Sequence, residues 1–497
     1  MSLINVSHLT FGYDGSAQNI FADVSFQIDT AWKLGFCGRN GRGKTTFLRL
    51  LMGELAYSGH ISASTGFAYF PFRVADPDAN TLDCLQAAAP QAELWELERE
   101  LNLLDVDTAV LERPLCTLSN GERTKVLLAA LFLRADSFLL IDEPTNHLDL
   151  HARQIVARYL SGKSGFILVS HDRVFLDSCV DHILSINKTN IEIQSGNFSS
   201  WFANKERQDN FERTQNQRLK KEIGRLDAAA RRTEQWSGDA ERQKIGFDPR
   251  KVEKSAGRRP AQGAKSKKMM ARSKSIAARQ AREIAEKSAL LRNLESTDAL
   301  KIAPLVYPKN RLLSLAGVSL FYSDSPVCRD ISFTLQAGDR IALRGKNGSG
   351  KSSVLKLLCG ENIQHTGEFL IGSGLKISYV PQDASFLRGN LRDWARECAI
   401  DETLFKAILR KLDFSREQFE QDMADYSAGQ KKKVLLARSL STRAHLYVWD
   451  EPLNYIDVLS RMQIEQLLAQ CQPTLLFVEH DEAFCRNIAT QVIEVRG

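Results

Sequence analysis

Short apolar runs along this chain alternate with segments whose apolar side chains recur every three or four residues. WKLGFC (32–37) precedes TFLRLLMG (46–53), and DRIALR (339–344) precedes SVLKLLCG (353–360). Runs of four to six apolar residues read as buried strands, and the segments after them read as amphipathic helices. That alternation predicts an α/β fold. The pattern also repeats itself. GRNGRGKT at Gly38–Thr45 returns as GKNGSGKS at Gly345–Ser352, LSNGE at 118–122 returns as YSAGQ at 426–430, and LLIDEP returns as YVWDEP. SHD at 170–172 returns as EHD at 479–481. Four motifs in the same order and at nearly the same spacing imply two homologous domains, about 1–200 and 306–497.

The stretch between them, 201–305, follows another rule. From Trp201 to about Trp236 there is no proline, and Leu219, Ile223, Leu226 and Ala230 alternate steps of four and three. Ala277, Ile284 and Leu291 recur seven apart further on. Two long helices with narrow apolar seams suit an antiparallel hairpin. Glycines and prolines between them place a loop at about 238–268. Charge sharpens this picture: residues 201–300 carry a net of +11, although the whole chain carries only +6. A solvated linker requires neither two long helices nor a charge bias centred on their turn, so the basic tip is a candidate polyanion-binding element.

Composition adds mainly exclusions. Hydrophobic residues make up 43% and charged residues 25%, ordinary globular proportions. The longest strongly apolar run, Val126–Leu133, falls far short of the roughly 20 residues that cross a bilayer. The opening MSLINVSHLTFGYDG has neither the basic nor the apolar region of a signal peptide. A cytoplasmic protein without a membrane partner is therefore expected. Its nine scattered cysteines, without a C-x-x-C pair, read as reduced thiols rather than a disulfide framework or zinc site.

The repeated motifs carry chemistry. In G-x-x-x-x-G-K-[ST], glycines let backbone N–H groups close around phosphate at a helix N-terminus. Gly38, Asn40, Gly41, Gly43, Lys44, Thr45 and Thr46 in one repeat, and Gly345, Asn347, Gly348, Gly350, Lys351, Ser352 and Ser353 in the other, are candidate ATP-binding residues. Each lysine would reach the β and γ phosphates, and Thr45 and Ser352 would ligate Mg²⁺. About 98 residues further on, an apolar strand ends in Asp142-Glu143 or Asp450-Glu451. The aspartates would hold the Mg²⁺ shell and the glutamates would polarise the attacking water. His171 and His480 follow later apolar runs, where a γ-phosphate sensor would sit.

This motif set resembles that of the ABC-type ATPases. The resemblance implies two tandem P-loop domains facing head to tail within a monomer, each completing the other's site. Ser427 and Gly429 would complete the site of Lys44, and Ser119 and Gly121 that of Lys351. Tyr13 and Tyr322 stand where the family stacks an aromatic ring on adenine. Gln382 matches its Q-loop glutamine, another Mg²⁺ or water ligand, but Phe72 occupies the equivalent position of the first repeat. A phenyl ring ligates neither, so the two sites are expected to differ.

Complete domains in one chain around a helical insert look like the ABC-F class. Phe72 to Leu118 is 46 residues and Gln382 to Tyr426 is 44, so the first domain carries no extra arm of the kind found in housekeeping members. Strings such as WKLGFCGRNGRGKTTFLRLL and LYVWDEPLNYIDV look close to the Lsa-type antibiotic-resistance group. That likeness implies partners in the 70S ribosome: its exit site, 23S rRNA and P-site tRNA. It implies protection against lincosamides, streptogramin A compounds and pleuromutilins. Lys244, Phe247, Arg258, Arg259, Lys265, Lys267, Lys268, Arg272 and Lys274 are the RNA-contacting candidates. A translation factor that relieves stalled ribosomes, and the ATPase subunit of a transporter, are the alternative readings.

Overall fold

The computed structural model describes residues 2–13, 19–134, 136–146, 148–186, 191–245, 279, 304–322 and 325–496. Most of the expected tip loop and the returning helix of the insert lie outside these residues, as do Phe247, Arg258, Arg259, Lys265, Lys267, Lys268, Arg272 and Lys274.

The first domain runs β1 (Leu3–Phe11), β2 (Phe21–Asp29), β3 (Lys33–Cys37), α1 (Lys44–Leu51), β4 (Ser58–Ser62) and β5 (Gly66–Phe70). It continues through α2 (Thr81–Ala88), α3 (Leu94–Leu103), α4 (Asn120–Phe132), β6 (Ser137–Asp142), α5 (Leu150–Ser161), β7 (Phe166–Val169), α6 (Arg173–Cys179), β8 (His182–Ile186) and β9 (Ile191–Ser195). Two sheets result: an antiparallel one in the order β2-β1-β4 and a largely parallel one in the order β5-β6-β7-β3-β8-β9. The register decides where chemistry can sit. Asp142, the last residue of β6, lies opposite Val169 of β7, and Gly35 of β3 lies opposite Leu168. The loops after β6, β7 and β3 therefore open side by side at the carboxyl edge, where α/β sheets bind ligands.

Helix α7 (Phe198–Ile245) then continues for 48 residues. The first boundary between compact units falls at Trp201/Phe202, within its first turn. Phe202, Lys205, Asp209, Glu212, Asn216, Leu219 and Ile223 are half-buried, an alternation of three and four that marks one helix face. The helix passes Gly238, where the sequence suggests the loop begins, and continues to Ile245. A single internal glycine costs only about 1 kcal/mol, and the Ala, Glu, Arg, Gln and Lys that follow favour helix.

The second domain repeats the first with β10 (Arg311–Phe321), β11 (Pro326–Gln336), β12 (Arg340–Arg344), α8 (Lys351–Leu358), β13 (Gln364–Ile371) and β14 (Ile377–Val380). After α9 (Leu391–Glu397), α10 (Glu402–Lys411) and α11 (Ala428–Ser441) come β15 (Leu446–Asp450), α12 (Val458–Cys471), β16 (Leu475–Val478), α13 (Glu482–Ile488) and β17 (Gln491–Glu494). Its sheets have the orders β11-β10-β13 and β14-β15-β16-β12-β17. Two α-helices separate β5 from α4, and two separate β14 from α11, so the first domain has no additional arm there.

Apolar packing fixes the phosphate-loop helices against both sheets. Phe47 of α1 is fully buried and meets Phe36 and Phe21 edge-on at 5.6 and 6.1 Å. In the second domain Trp449, the residue before Asp450, is fully buried and donates Nε1–H to Ser439 Oγ at 2.9 Å. Trp449→Ala should cost about 3–5 kcal/mol. Urea unfolding followed by circular dichroism measures it, and an unchanged midpoint would show that the site collapses without loss.

Candidate functional site

Both phosphate loops take the backbone form their glycines permit. Gly41 and Gly43 have φ of 79° and 92°, and Gly348 and Gly350 have 80° and 85°, the left-handed region that side chains with a Cβ rarely enter. The loops run from Gly38 and Gly345 into the first turns of α1 and α8, which hold Lys44, Thr45, Thr46 and Lys351, Ser352, Ser353. Lys44 Nζ donates to Gly38 O at 2.7 Å and Arg39 O at 3.3 Å. Lys351 Nζ donates to Gly345 O at 2.9 Å and Lys346 O at 2.8 Å.

The acidic residues meet these loops as the register requires. Thr45 Oγ1 donates to Asp142 Oδ2, and Ser352 Oγ donates to Asp450 Oδ1, both at 3.1 Å. Hydroxyl and carboxylate oxygens are the hard ligands Mg²⁺ takes, so the two pairs fit that ion. Glu143 and Glu451 adopt φ of 51° and 45°. Their amides donate to Val169 O and Val478 O at 2.9 and 3.0 Å, which pins the strained turn in both domains. His171 Nε2 lies 3.3 Å from Glu143 Oε1, and His480 Nε2 lies 3.5 Å from Glu451 Oε1.

Beyond this shared frame the sites diverge. Glu451 Oε2 accepts from Gln382 Nε2 at 2.8 Å and from Asn454 Nδ2 at 2.6 Å. Burial pushes its carboxyl upward, but His480, Gln382 and Lys351 outweigh that and bring it down to about 2. Phe72, in place of the glutamine, instead stacks under Arg134, whose Cζ lies 5.2 Å from the ring centre. Glu143 Oε1 is left buried without a hydrogen bond. Burial and the adjacent Asp142 push its carboxyl up to about 8. His171 is driven well below its usual range, by burial first and then by Lys44 and Arg461, so this pair is neutral near pH 7.

Contacts across the domain pair are also unequal. Asn40 Nδ2 donates to Tyr455 O at 2.7 Å, and its amide lies 3.5 Å from Asp457 Oδ2. Gly429 is packed so closely there that a Cβ would come within 2.5 Å of Tyr455 O and 3.2 Å of Asn40 Nδ2. The second signature thus reaches the first phosphate loop. Ser427 and Ser119 serve as N-caps of α11 and α4, accepting from Gln430 N and Glu122 N. At the other site a Cβ on Gly121 would meet Leu148 Cδ2, at 3.7 Å, and no second-domain atom within 4 Å among the described residues. A cavity of about 230 Å³ separates Asp149, His151 and Gln154 from Gly345, Lys346 and His480. The equivalent place behind the first loop is lined by Phe198 and Trp201 of α7 and retains about 10 Å³.

The aromatic candidates differ as well. Tyr13 is 46% exposed and hydrogen-bonds Thr46 Oγ1 at 3.1 Å; Tyr322 is 61% exposed. Several participants escape motif reading. Tyr69 donates to Asp142 Oδ2 at 3.0 Å, Asn454 holds Glu451, and Asp457 meets the opposite phosphate loop. Asn146 and Asn454, and Asp149 and Asp457, recur at the same offset as the Asp-Glu pairs, a signal the repeat comparison contains.

The ABC transporter family profile matches residues 21–146 and 328–454, half of the chain. The chain belongs to the ABC transporter family. It is an ATPase with two ABC domains, and no helix among the described residues is long and apolar enough to cross a membrane. It is similar to the uncharacterized ABC transporter ATP-binding protein YkpA of Bacillus subtilis, with 26% identity over 96% of this chain and 92% of that one. It is 28% identical to the ribosome protection protein VmlR of Bacillus subtilis over 97% of this chain and 84% of the relative. In fold it matches archaeal aABCE1, solved in complex with the ribosomal stalk protein aP1, with a TM-score of 0.64 at 18% identity, covering 99% of this chain and 87% of that one.

Two predictions follow from the unequal ABC sites. With Glu143 and Glu451 as the expected bases, and a base having to be deprotonated to act, turnover by Glu451→Gln protein should rise with pH through about 8. Turnover by Glu143→Gln protein should stay flat between roughly pH 6 and 9. Parallel profiles would remove the distinction. Gly429→Ala should depress ATP turnover much more than Gly121→Ala, because only the former Cβ has no room; equal losses in a phosphate-release assay would count against the contact.

Proposed function

We propose that this protein is an ABC-F-class ATPase that acts on the ribosome and protects it from drugs of the peptidyl-transferase centre. The observation that carries this reading is the similarity to VmlR, a ribosome protection protein, over 97% of the chain and so across the insert as well as the ABC domains. The basic charge of the insert supports it. A net of +11 within 201–300 suits a partner dense in phosphate.

In this reading Lys44 and Lys351 hold the β and γ phosphates of ATP, with Thr45, Asp142, Ser352, Asp450 and Gln382 around Mg²⁺. The ion would neutralise charge that develops on the transferred phosphoryl group. Glu143 and Glu451 orient water, and His171 and His480 face the γ-phosphate. Ser427 with Gly429, and Ser119 with Gly121, close on the opposite sites, so ATP joins the ABC domains and hydrolysis lets them part. The closed form occupies the exit site, and the insert shifts the P-site tRNA and disturbs the drug pocket. Lincosamides, streptogramin A compounds and pleuromutilins are the classes displaced.

The test uses Glu143→Gln/Glu451→Gln protein and drug-susceptible cells. The double variant should bind ATP, lose hydrolysis and accumulate on 70S ribosomes in sedimentation. Wild-type protein should raise the inhibitory concentration of a lincosamide and a pleuromutilin. Ribosome association without any change in susceptibility would favour a translation factor that relieves stalling. Co-sedimentation with membranes instead would favour a transporter subunit.

A further inference from the structure

Lys432 is a buried cation at the second site that the family motifs do not explain. It lies in α11, five residues after the signature serine, and is 2% exposed. Its Nζ donates to Pro381 O at 2.9 Å, Glu451 O at 3.1 Å and Asp450 O at 3.5 Å. Three donors thus meet three carbonyls, one beside Gln382 and two at the end of β15. Burial lowers its proton affinity, and the strongest opposing charge is that of Glu479. Glu479 is 5% exposed, and its two oxygens accept from Leu453 N at 2.7 Å and His480 N at 3.1 Å. One cation and one anion therefore fasten the segments that carry Gln382, Glu451 and His480.

The first domain is built differently at each equivalent position. Thr124 replaces Lys432 and turns its hydroxyl to Asn120 O of its own helix at 2.8 Å. Ser170 replaces Glu479 and meets Thr145 Oγ1 at 3.2 Å. The same domain has Phe72 for Gln382. Lys432, Glu479 and the glutamine occur together at the site where Oε2 of the glutamate accepts two hydrogen bonds.

We propose that Lys432 is a positioning residue for hydrolysis at the second site: it ties the Gln382 loop to the Glu451 turn and so sets the Gln382–Glu451 hydrogen bond. This rests on the reading of Glu451 as the residue that orients water. A shift of about 1 Å in such a group costs on the order of a hundredfold in rate. Breaking the tie should therefore act on kcat rather than on ATP binding.

The test is made on the full chain in a Glu143→Gln background, where turnover belongs to the second site. Two variants are compared, Lys432→Met and Lys432→Thr/Glu479→Ser, the latter importing the first domain's neutral pair. Both should lose about ten- to a hundredfold in kcat with KM for ATP within about twofold of the parent. Only Lys432→Met should melt much earlier, because it leaves the carbonyls of Pro381, Asp450 and Glu451 without their donor and keeps Glu479 charged beside an apolar side chain. Should Lys432→Met fail to fold, the charge-balanced double variant decides alone. Parental kcat in that variant would overturn the proposal and leave Lys432 a purely structural cation. Glu451→Gln, measured alongside, separates the two readings: if it turns over normally, the assignment of Glu451 is at fault rather than that of Lys432.

Discussion

Each ABC domain is organised around an ammonium group that is buried and yet, among the described residues, not paired with a carboxylate at salt-bridge distance. Lys44 and Lys351 are 8% and 6% exposed. A buried charge is costly unless it is hydrogen-bonded, and a direct carboxylate partner would leave nothing for a phosphate. The loops resolve the conflict by turning their own carbonyls inward, which their left-handed glycines allow. Asp142 and Asp450 are held aside by Thr45 and Ser352. The parallel register of β3, β6 and β7, and of β12, β15 and β16, keeps these groups at one edge.

The frame is shared, but the electrostatics at its two copies are opposite in sense. A glutamine, an asparagine and a histidine surround Glu451 and favour its anion. Around Glu143 the glutamine is a phenylalanine that has gone to stack under Arg134, and desolvation prevails. The tighter domain contact, through Asn40, Tyr455 and Gly429, lies at this second kind of site. One half of the molecule is thus arranged to hold the domains together, and the other retains the hydrogen bonds of a charged carboxylate.

Much of this was legible in the sequence because the chain contains its own control. Repetition at an offset of about 308 exposed the phosphate loops, the Asp-Glu strands, the histidines and the substitution at Phe72. Strand order and register were not legible, since β3 pairs with β7 and β8 across more than a hundred residues. Lys432 and Glu479 were invisible for another reason: as single residues in charged surroundings they carry no spacing signal, and only their burial gives them meaning. The extent of α7 was misjudged at Gly238 because one weak helix former was given more weight than the strong ones beyond it.

Joining the two ABC domains in one chain also changes what selection can act on. In a symmetric dimer every substitution appears twice, so a phenylalanine in one Q-loop would be imposed on both sites. Here position 72 and position 382 are separate, as are 124 and 432, and 170 and 479. The encounter of the halves is intramolecular as well, governed by an effective concentration rather than by how much protein the cell makes. Covalent duplication thus permits one site to specialise while its partner is kept within reach.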